Sequence, residues 1–506
     1  MRARIATLAV VVVLLVFAAI SPGVRRRFIQ DIITWDAPAT EPVTLPTGTG
    51  PGLPSADRVR VVLIDGLGTD AARTLPAWQA LCKNGLRLQV DVGFPTVSLP
   101  VEVSLWSGLT QQQTGIMFRS DRPLVPPLDR RGIPARVSGS IAIAEHHGYI
   151  VRSLGFAVAE PASTEAPSRD LDPDAWAKVW QARALEAVTS SAKLAFVHIL
   201  RVDTWGHRKG AASKEYATAA AESDAILAQL HAAAPDARWF LLSDHAHLPT
   251  GGHGGEDRAV RQVEHCIVGP GIAPATGGLV HLVDVSRAVA DSLGVALDKR
   301  SIGRPMSVAL SHPLDPDAAV PPLDRGAGVL AVIVLVLGLA ATGWSVRRWW
   351  GAPLWFVVAC ALLVIVRGLP TMSMPMVYAK ESLFDVLDFD KRLMMRTWFV
   401  ALPIAAAATW FGLARGMSLV RVLAAQLALP IAALAAVLVA CRGWSALLGA
   451  EVSPMVPHYT AFASPLMLIV AQGSAAVGLA VLARFARQEF DRRRSSGTTR
   501  TVTSVA

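Results

Sequence analysis

Apolar positions fall into two patterns along this chain. Between residues 57 and 312 they come in short runs, RVRVVLID, AFVHILRVD, RWFLLSD and VEHCIVGPG, each closed by a polar or turn residue. Short, near-continuous apolar runs of this kind predict strands buried on both faces. Between them, DAWAKVWQARALEAVTSSA and KEYATAAAESDAILAQLHAA space their apolar residues as amphipathic helices do. Strands alternating with helices predict an α/β fold around a mostly parallel sheet. Ligands of such sheets bind beyond the carboxyl ends of the strands.

The second pattern is long and uncharged. Residues 5–20 (IATLAVVVVLLVFAAI) follow Arg2 and Arg4, and FAAISPG offers no clean small-x-small cleavage site. The reading is a signal anchor over 1–24 rather than a cleaved signal peptide. A linker over 25–56 follows, and its Pro-, Gly- and Thr-rich part, 36–56, reads as a tether. After 325, apolar runs at 326–344, 352–367, 397–414, 418–441 and 460–483 each approach the length that crosses ~30 Å of hydrocarbon. They predict an α-helical polytopic membrane region over 326–484 with about five transmembrane helices, then a basic tail over 485–506.

Composition agrees with an integral membrane protein: 52% hydrophobic residues, 17% charged, and a mean hydropathy of +0.41. The formal net charge of +9 is concentrated beside the apolar runs. Arg347, Arg348, Arg415, Arg421 and the tail therefore read as cytoplasmic, which places the 57–312 domain outside the plasma or inner membrane. Arg25 to Arg27 run against that orientation, but a large following domain translocates regardless of charge. No basic stripe interleaves with aromatics, so no nucleic-acid-binding surface is expected. Of four cysteines, Cys82 and Cys266 lie in the soluble part, where they either pair in an oxidising compartment or stay as buried thiols.

The candidate chemistry sits where the apolar runs end. Asp65 closes VVLIDGLG, Asp203 and His207 share VDTWGH, and Asp244, His245 and His253 share LLSDHAHLPTGGHGG. Ser98 lies in FPTVSLP, at the start of a helix expected over 99–109, with Thr96 as the competing hydroxyl. Two divalent ions about 4 Å apart clamp the attacking and departing oxygens of a displacement at phosphorus. Such a pair takes about six carboxylate and imidazole ligands, and these residues supply them, with Ser98 bridging as the nucleophile. Taken singly, a strand-end Asp is a turn or helix cap and a lone His is a core residue. The ordered set outweighs those readings. His198, His247, His265 and His281 lack comparable context and are assigned structural roles, as are Trp106 and Trp205. Three imidazoles favour Zn2+, and Mn2+ also suits the carboxylates.

The set resembles the alkaline phosphatase superfamily, in particular its nucleotide pyrophosphatase/phosphodiesterase branch. The matching pieces are Asp65-Gly66, Phe94 to Pro100, Ser107-Gly108-Leu109, Gly115-Ile116, Asp203 to His207, Ser243-Asp244-His245 and Gly252-His253-Gly254, closing with Val283-Asp284-Val285 and Gly303-Arg304-Pro305. The resemblance implies a three-layer sandwich over 57–312. It also implies one ion on Asp203, His207 and His253 and the other on Asp65, Ser98, Asp244 and His245. Two departures stand out: Ser98 replaces the branch's usual Thr, and Val101 replaces an Asn whose amide would hold a phosphate oxygen.

The expected function is a membrane-bound two-metal phosphodiesterase or phosphoester hydrolase acting through a Ser98 phospho-enzyme. The anchor, external domain and polytopic region also resemble the glycosylphosphatidylinositol ethanolamine phosphate transferases, which implies a transferase alternative with a lipid or glycan acceptor. A sulfatase is disfavoured because Ser98-Leu99-Pro100-Val101-Glu102 lacks the required Arg. A catalytically dead scaffold is disfavoured by the complete ligand set.

Overall fold

The computed structural model describes residues 2–34, 44–114, 116, 132–146, 153–161, 173–249, 251–254, 258–316, 325–346, 356–357, 361, 403–407, 409–410, 413, 416–440 and 456–498. Eight strands form one sheet: β1 (Val59–Ile64), β2 (Leu86–Asp91), β3 (Ser140–Ala144), β4 (Val158–Pro161), β5 (Leu194–Ile199), β6 (Arg238–Leu242), β7 (Gln262–Val268) and β8 (Ala275–His281). Their order is β4-β3-β5-β1-β6-β7-β2-β8. All pairings are parallel except those of β7, which runs antiparallel to both neighbours.

Helices cover both faces of the sheet. The longer helices are α1 (Arg2–Thr34), α2 (Pro76–Lys83), α3 (Ser98–Ser107), α4 (Pro173–Thr189), α5 (Arg201–Lys209), α6 (Lys214–Ala233), α7 (Leu282–Leu293), α8 (Arg325–Val346), α9 (Leu419–Ala440) and α10 (Val456–Thr498), and those that cover the sheet lie between α2 and α7. Alternation along β1 feeds two cores. Val59, Val61 and Leu63 pack with residues of α3 and α7, whereas Val62 and Ile64 pack with residues of α2, α4 and α6. The expected three-layer sandwich with a mostly parallel sheet is therefore present.

Buried polar side chains tie these layers together. Arg60, at 0% exposure, donates to the carbonyls of Val188, Ser190 and Ala192 and so satisfies the carboxyl end of α4. The Asp224 carboxylate accepts from the backbone N–H groups of Ala77 and Trp78 at the start of α2. Asp284 and Arg304, both buried, form a paired contact whose closest approach is 2.7 Å.

Cys82 of α2 and Cys266 of β7 form a disulfide, with Cα atoms 5.4 Å apart and a sequence separation of 184. Closing so long a loop restricts the unfolded chain and stabilises the domain by about 2–5 kcal/mol. Reduction, or Cys266→Ala, should lower the unfolding midpoint of the domain accordingly; an unchanged midpoint would show that the bond contributes nothing.

The second half of the expected tether is docked on the domain. The Ala56 N–H donates to Ser292 O at 2.8 Å, Arg238 reaches Pro54 O, and Ser307 Oγ donates to Pro51 O at 2.7 Å. Proline and glycine composition records the lack of regular structure, not the lack of contacts.

Among the described residues, three helices are long and apolar enough to cross a membrane, at Arg4–Val24, Leu419–Val439 and Leu466–Ser495, with a shorter apolar stretch at Val329–Trp344. The N-terminal helix joins the C-terminal ones: Val11 packs with Leu413, Val422, Val477 and Val481. Most of the expected span 352–367 and much of 397–414 lie outside the described residues.

Candidate metal centre

The exits of three adjacent parallel strands, β5, β1 and β6, build the site. Asp65 follows β1, Asp244 and His245 follow β6, and β5 leads into α5, whose first turn carries Asp203 and whose last turn carries His207. Glu145, at the exit of β3, fixes α5 in place: its carboxylate accepts from the backbone N–H groups of Leu200 and Arg201 and from the Arg201 guanidinium. His253 arrives on the glycine-rich loop after β6.

The ligand atoms converge on two points. Around the first, Asp203 Oδ1 lies 3.3 Å from His207 Nε2 and 3.5 Å from His253 Nε2, and the two nitrogens are 3.0 Å apart. Around the second, His245 Nε2 lies 3.4 Å from Asp65 Oδ1, 3.2 Å from Asp244 Oδ2 and 3.3 Å from Ser98 Oγ. Ligand atoms about 2.0–2.1 Å from one tetrahedral ion are about 3.3–3.4 Å apart, so both sets fit a divalent cation. The two sets abut, because the His245 and His253 rings stack with centroids 3.7 Å apart.

Proton placement agrees with that reading. His253 Nδ1 approaches Thr96 O at 2.7 Å, and a carbonyl only accepts, so the proton sits on Nδ1 and the Nε2 lone pair faces Asp203 and His207. Asp244 Oδ1 accepts from the N–H groups of Gly66 and His245, while Asp244 Oδ2 and Asp65 Oδ1 are buried without a hydrogen-bond partner and Asp65 Oδ2 has only the ion-pair approach of His198 Nε2 at 3.3 Å. Desolvated carboxylate oxygens of this kind call for a cation. Burial, reinforced by Asp244 and Asp203, holds the Asp65 carboxyl well above the ordinary carboxylate range, and burial pushes Asp244 up to about 6. Burial also keeps His245 neutral, at about 4, and holds His253 well below the ordinary histidine value. Neutral imidazoles and carboxylates lacking donors form a consistent metal-ligand set.

All seven residues expected from the sequence are therefore brought together. Ser98 opens α3, with Val97 as the capping residue, and its hydroxyl faces His245. Thr96 points elsewhere: its Oγ1 accepts from the Gly254 N–H at 2.9 Å, and its carbonyl holds His253. Val101 is packed in the apolar core. Trp106 is likewise a core residue, edge-on to Phe156 and Phe196.

His247 corrects the sequence reading, which left it outside the site. Its Nε2 lies 2.9 Å from Asp203 Oδ1, and its Nδ1 accepts from the Gly252 N–H at 3.1 Å. Nδ1 thus has no proton, and Nε2–H donates to Asp203. In this arrangement its Nε2 proton faces Asp203, so His247 is placed to orient that carboxylate. Two motif glycines accommodate its ring. A Cβ at Gly206 would come within 2.3 Å of His247 Cδ2, and one at Gly66, where φ is +75°, would meet Asp203 Cα at 2.9 Å and His247 at 3.0 Å. His247→Ala should weaken binding of the first ion by about 10–100-fold; a titration showing wild-type affinity for both ions would contradict this assignment.

His198 is also closer to the chemistry than expected, 3.3 Å from Asp65 Oδ2. His265 and His281 keep the structural roles assigned to them: His265 Nε2 bonds Ser243 O at 2.6 Å, and His281 caps α7.

No protein-family profile and no curated protein sequence matches this chain. Solved structures do. Murine ectonucleotide pyrophosphatase/phosphodiesterase 5 is 14% identical, with a TM-score of 0.40, over 50% of this chain and 98% of that one. The human ectonucleotide pyrophosphatase/phosphodiesterase 5 is 12% identical, with a TM-score of 0.40, over 50% and 99%. An alkaline phosphatase superfamily protein from Vibrio parahaemolyticus is 13% identical, with a TM-score of 0.36, over 56% and 78%.

Proposed function

We propose that this chain is a membrane-bound, two-metal phosphoester hydrolase of the phosphodiesterase type that works through a phosphoserine at Ser98. One observation carries the reading: a hydroxyl at the start of a helix, 3.3 Å from His245 Nε2, lies at the meeting of two carboxylate–imidazole sets. Asp203, His207 and His253 would hold one ion; Asp65, Asp244 and His245, with Ser98, would hold the other. Bound there, divalent ions supply Lewis-acid chemistry, lowering the serine pKa and neutralising charge on the phosphoryl oxygens.

The protein's own groups do the rest. Ser98 Oγ forms a bond to phosphorus as the bond to the leaving oxygen breaks, giving a phosphoserine diester when the substrate is a diester. Water then displaces Ser98 from phosphorus and the serine hydroxyl is restored. The start of α3 places backbone N–H groups and the positive end of the helix dipole beside the transferred group. Because Val101 is in the core, no side-chain amide contacts the phosphoryl group from that position.

The Cys82–Cys266 bond supports an oxidising compartment and hence an extracytoplasmic domain. A transferase reading, in which a lipid or glycan hydroxyl takes the place of water, draws support from the several C-terminal helices that pack with α1, more than one anchor requires. The test is turnover of an aryl phosphodiester and an aryl phosphomonoester by the Zn2+-loaded full chain in detergent. Hydrolysis of the diester in preference to the monoester is expected. Bound metal with no turnover of either ester would shift the function to a transferase.

A further inference from the structure

Beyond the ligand set lies a second group of buried ionisable side chains. Glu102 and His198 are 0% and 1% exposed, and neither belongs to the metal sets or the nucleophile. His198 Nε2 sits 3.2 Å from Glu102 Oε1 and 3.3 Å from Asp65 Oδ2. Three elements meet there: the exit of β1, the end of β5, and the second turn of α3. Glu102 is four residues after Ser98, so nucleophile and carboxylate share one face of α3, with Glu102 one turn deeper. Its neighbours Val101, Val103 and Leu105 all belong to the apolar core.

A carboxylate buried among those residues is costly unless paired, and an apolar side chain would pack there without that cost. The pairing it makes leads to one place. Asp65 divides its oxygens, Oδ1 towards His245 and Oδ2 towards His198. Ligating carboxylates depend on outer partners of this kind for their orientation.

We infer that Glu102 and His198 form a positioning pair that holds Asp65 with Oδ1 turned to the second ion, and that ties this ligand to the helix carrying Ser98. The inference rests on the two-ion reading proposed above and adds a coupling to it. Because Glu102 and Ser98 ride on one helix, any shift of α3 moves the nucleophile and, through His198, the ligand it faces. Register of the metal set against the nucleophile is thereby fixed from within the fold.

The experiment compares the wild-type full chain in detergent with Glu102→Gln and His198→Gln, measuring Zn2+ stoichiometry and stepwise affinity together with thermal unfolding of the metal-free forms. Glu102→Gln keeps the side-chain shape and removes a buried charge, so the metal-free fold should persist; His198→Gln provides an independent break in the same relay. Both variants should bind the first ion with wild-type affinity and the second about 10–100-fold more weakly. In diester turnover, kcat should fall while KM holds. Unchanged affinity for both ions in both variants, whatever the unfolding midpoint, overturns the inference and leaves the two-ion reading intact. Three ions on the wild type, one of them lost cleanly in Glu102→Gln, overturns it too, because Glu102 would then be a ligand. A wild-type chain that binds no ion overturns the inference together with the function on which it rests.

Discussion

Ser98→Ala should lower turnover of an aryl phosphodiester by roughly 10^3–10^6-fold, the range seen when a covalent nucleophile is removed from a site whose other parts survive. The structure explains why the loss should be chemical. Ser98 Oγ is 3.3 Å from His245 Nε2 and is one of four groups proposed to hold the second ion, and Asp65, Asp244 and His245 remain in place when it is removed. The variant should therefore fold, and zinc content should remain at two ions per chain. Ser98→Thr should retain activity, since a β-branched hydroxyl at the first position of α3 still presents its oxygen. Thr96→Ala makes the informative contrast. Thr96 Oγ1 accepts from Gly254 N–H, so its loss loosens the loop that delivers His253 and weakens metal binding without removing the nucleophile. Equal turnover in Ser98→Ala and wild type would eliminate Ser98 as the nucleophile.

Asp203→Asn is expected to cost one ion outright and to reduce turnover by at least about 10^3-fold, because the single anionic ligand of the first set is lost. Three imidazoles approach Asp203 Oδ1, those of His207, His247 and His253 at 3.3, 2.9 and 3.5 Å. Burial would raise this carboxyl, yet His207 and His247 outweigh it and hold it well below the usual range, so it is ionised in the fold. Asparagine preserves the size and still accepts the His247 N–H through its amide oxygen, which confines the change to charge. Metal analysis should fall from two ions to one, and the remaining ion should belong to Asp65, Asp244 and His245. Stripping wild type with a chelator should abolish turnover, and Zn2+ should restore it. Two tightly held ions in Asp203→Asn would contradict the ligand assignment.

Much of this was legible in the sequence because the informative residues end apolar runs. β1, β5, β6 and β7 are near-continuous apolar segments buried on both faces, and Asp65 and Asp244 mark where two of them stop. The less visible strands have weaker patterns: β2 alternates polar residues, β3 is short, and β8 contains Gly277 and Gly278.

Misassigned side chains share one cause, namely partners distant in sequence. His247 acts through Asp203, Gly206 and Gly66, which lie 41 to 181 residues away by number. His198 inside an apolar run reads as core, and so does its burial; only its contacts with Asp65 and Glu102 give it a role. Glu102 carries no role in the sequence reading, and the helix that bears it is buried on every side. Residues 44–56 look like a tether because composition does not report the hydrogen bonds of Pro51, Pro54 and Ala56 to the domain.

A phosphoryl group carried on Ser98 can be trapped during turnover. The Zn2+-loaded full chain would be mixed with an aryl phosphodiester, quenched in acid during turnover and mapped by peptide mass spectrometry. The phosphodiester adduct is expected on the peptide containing Ser98, absent from Ser98→Ala and from the metal-stripped chain. Steady turnover with no adduct at Ser98, or with the adduct on Thr96, would contradict it.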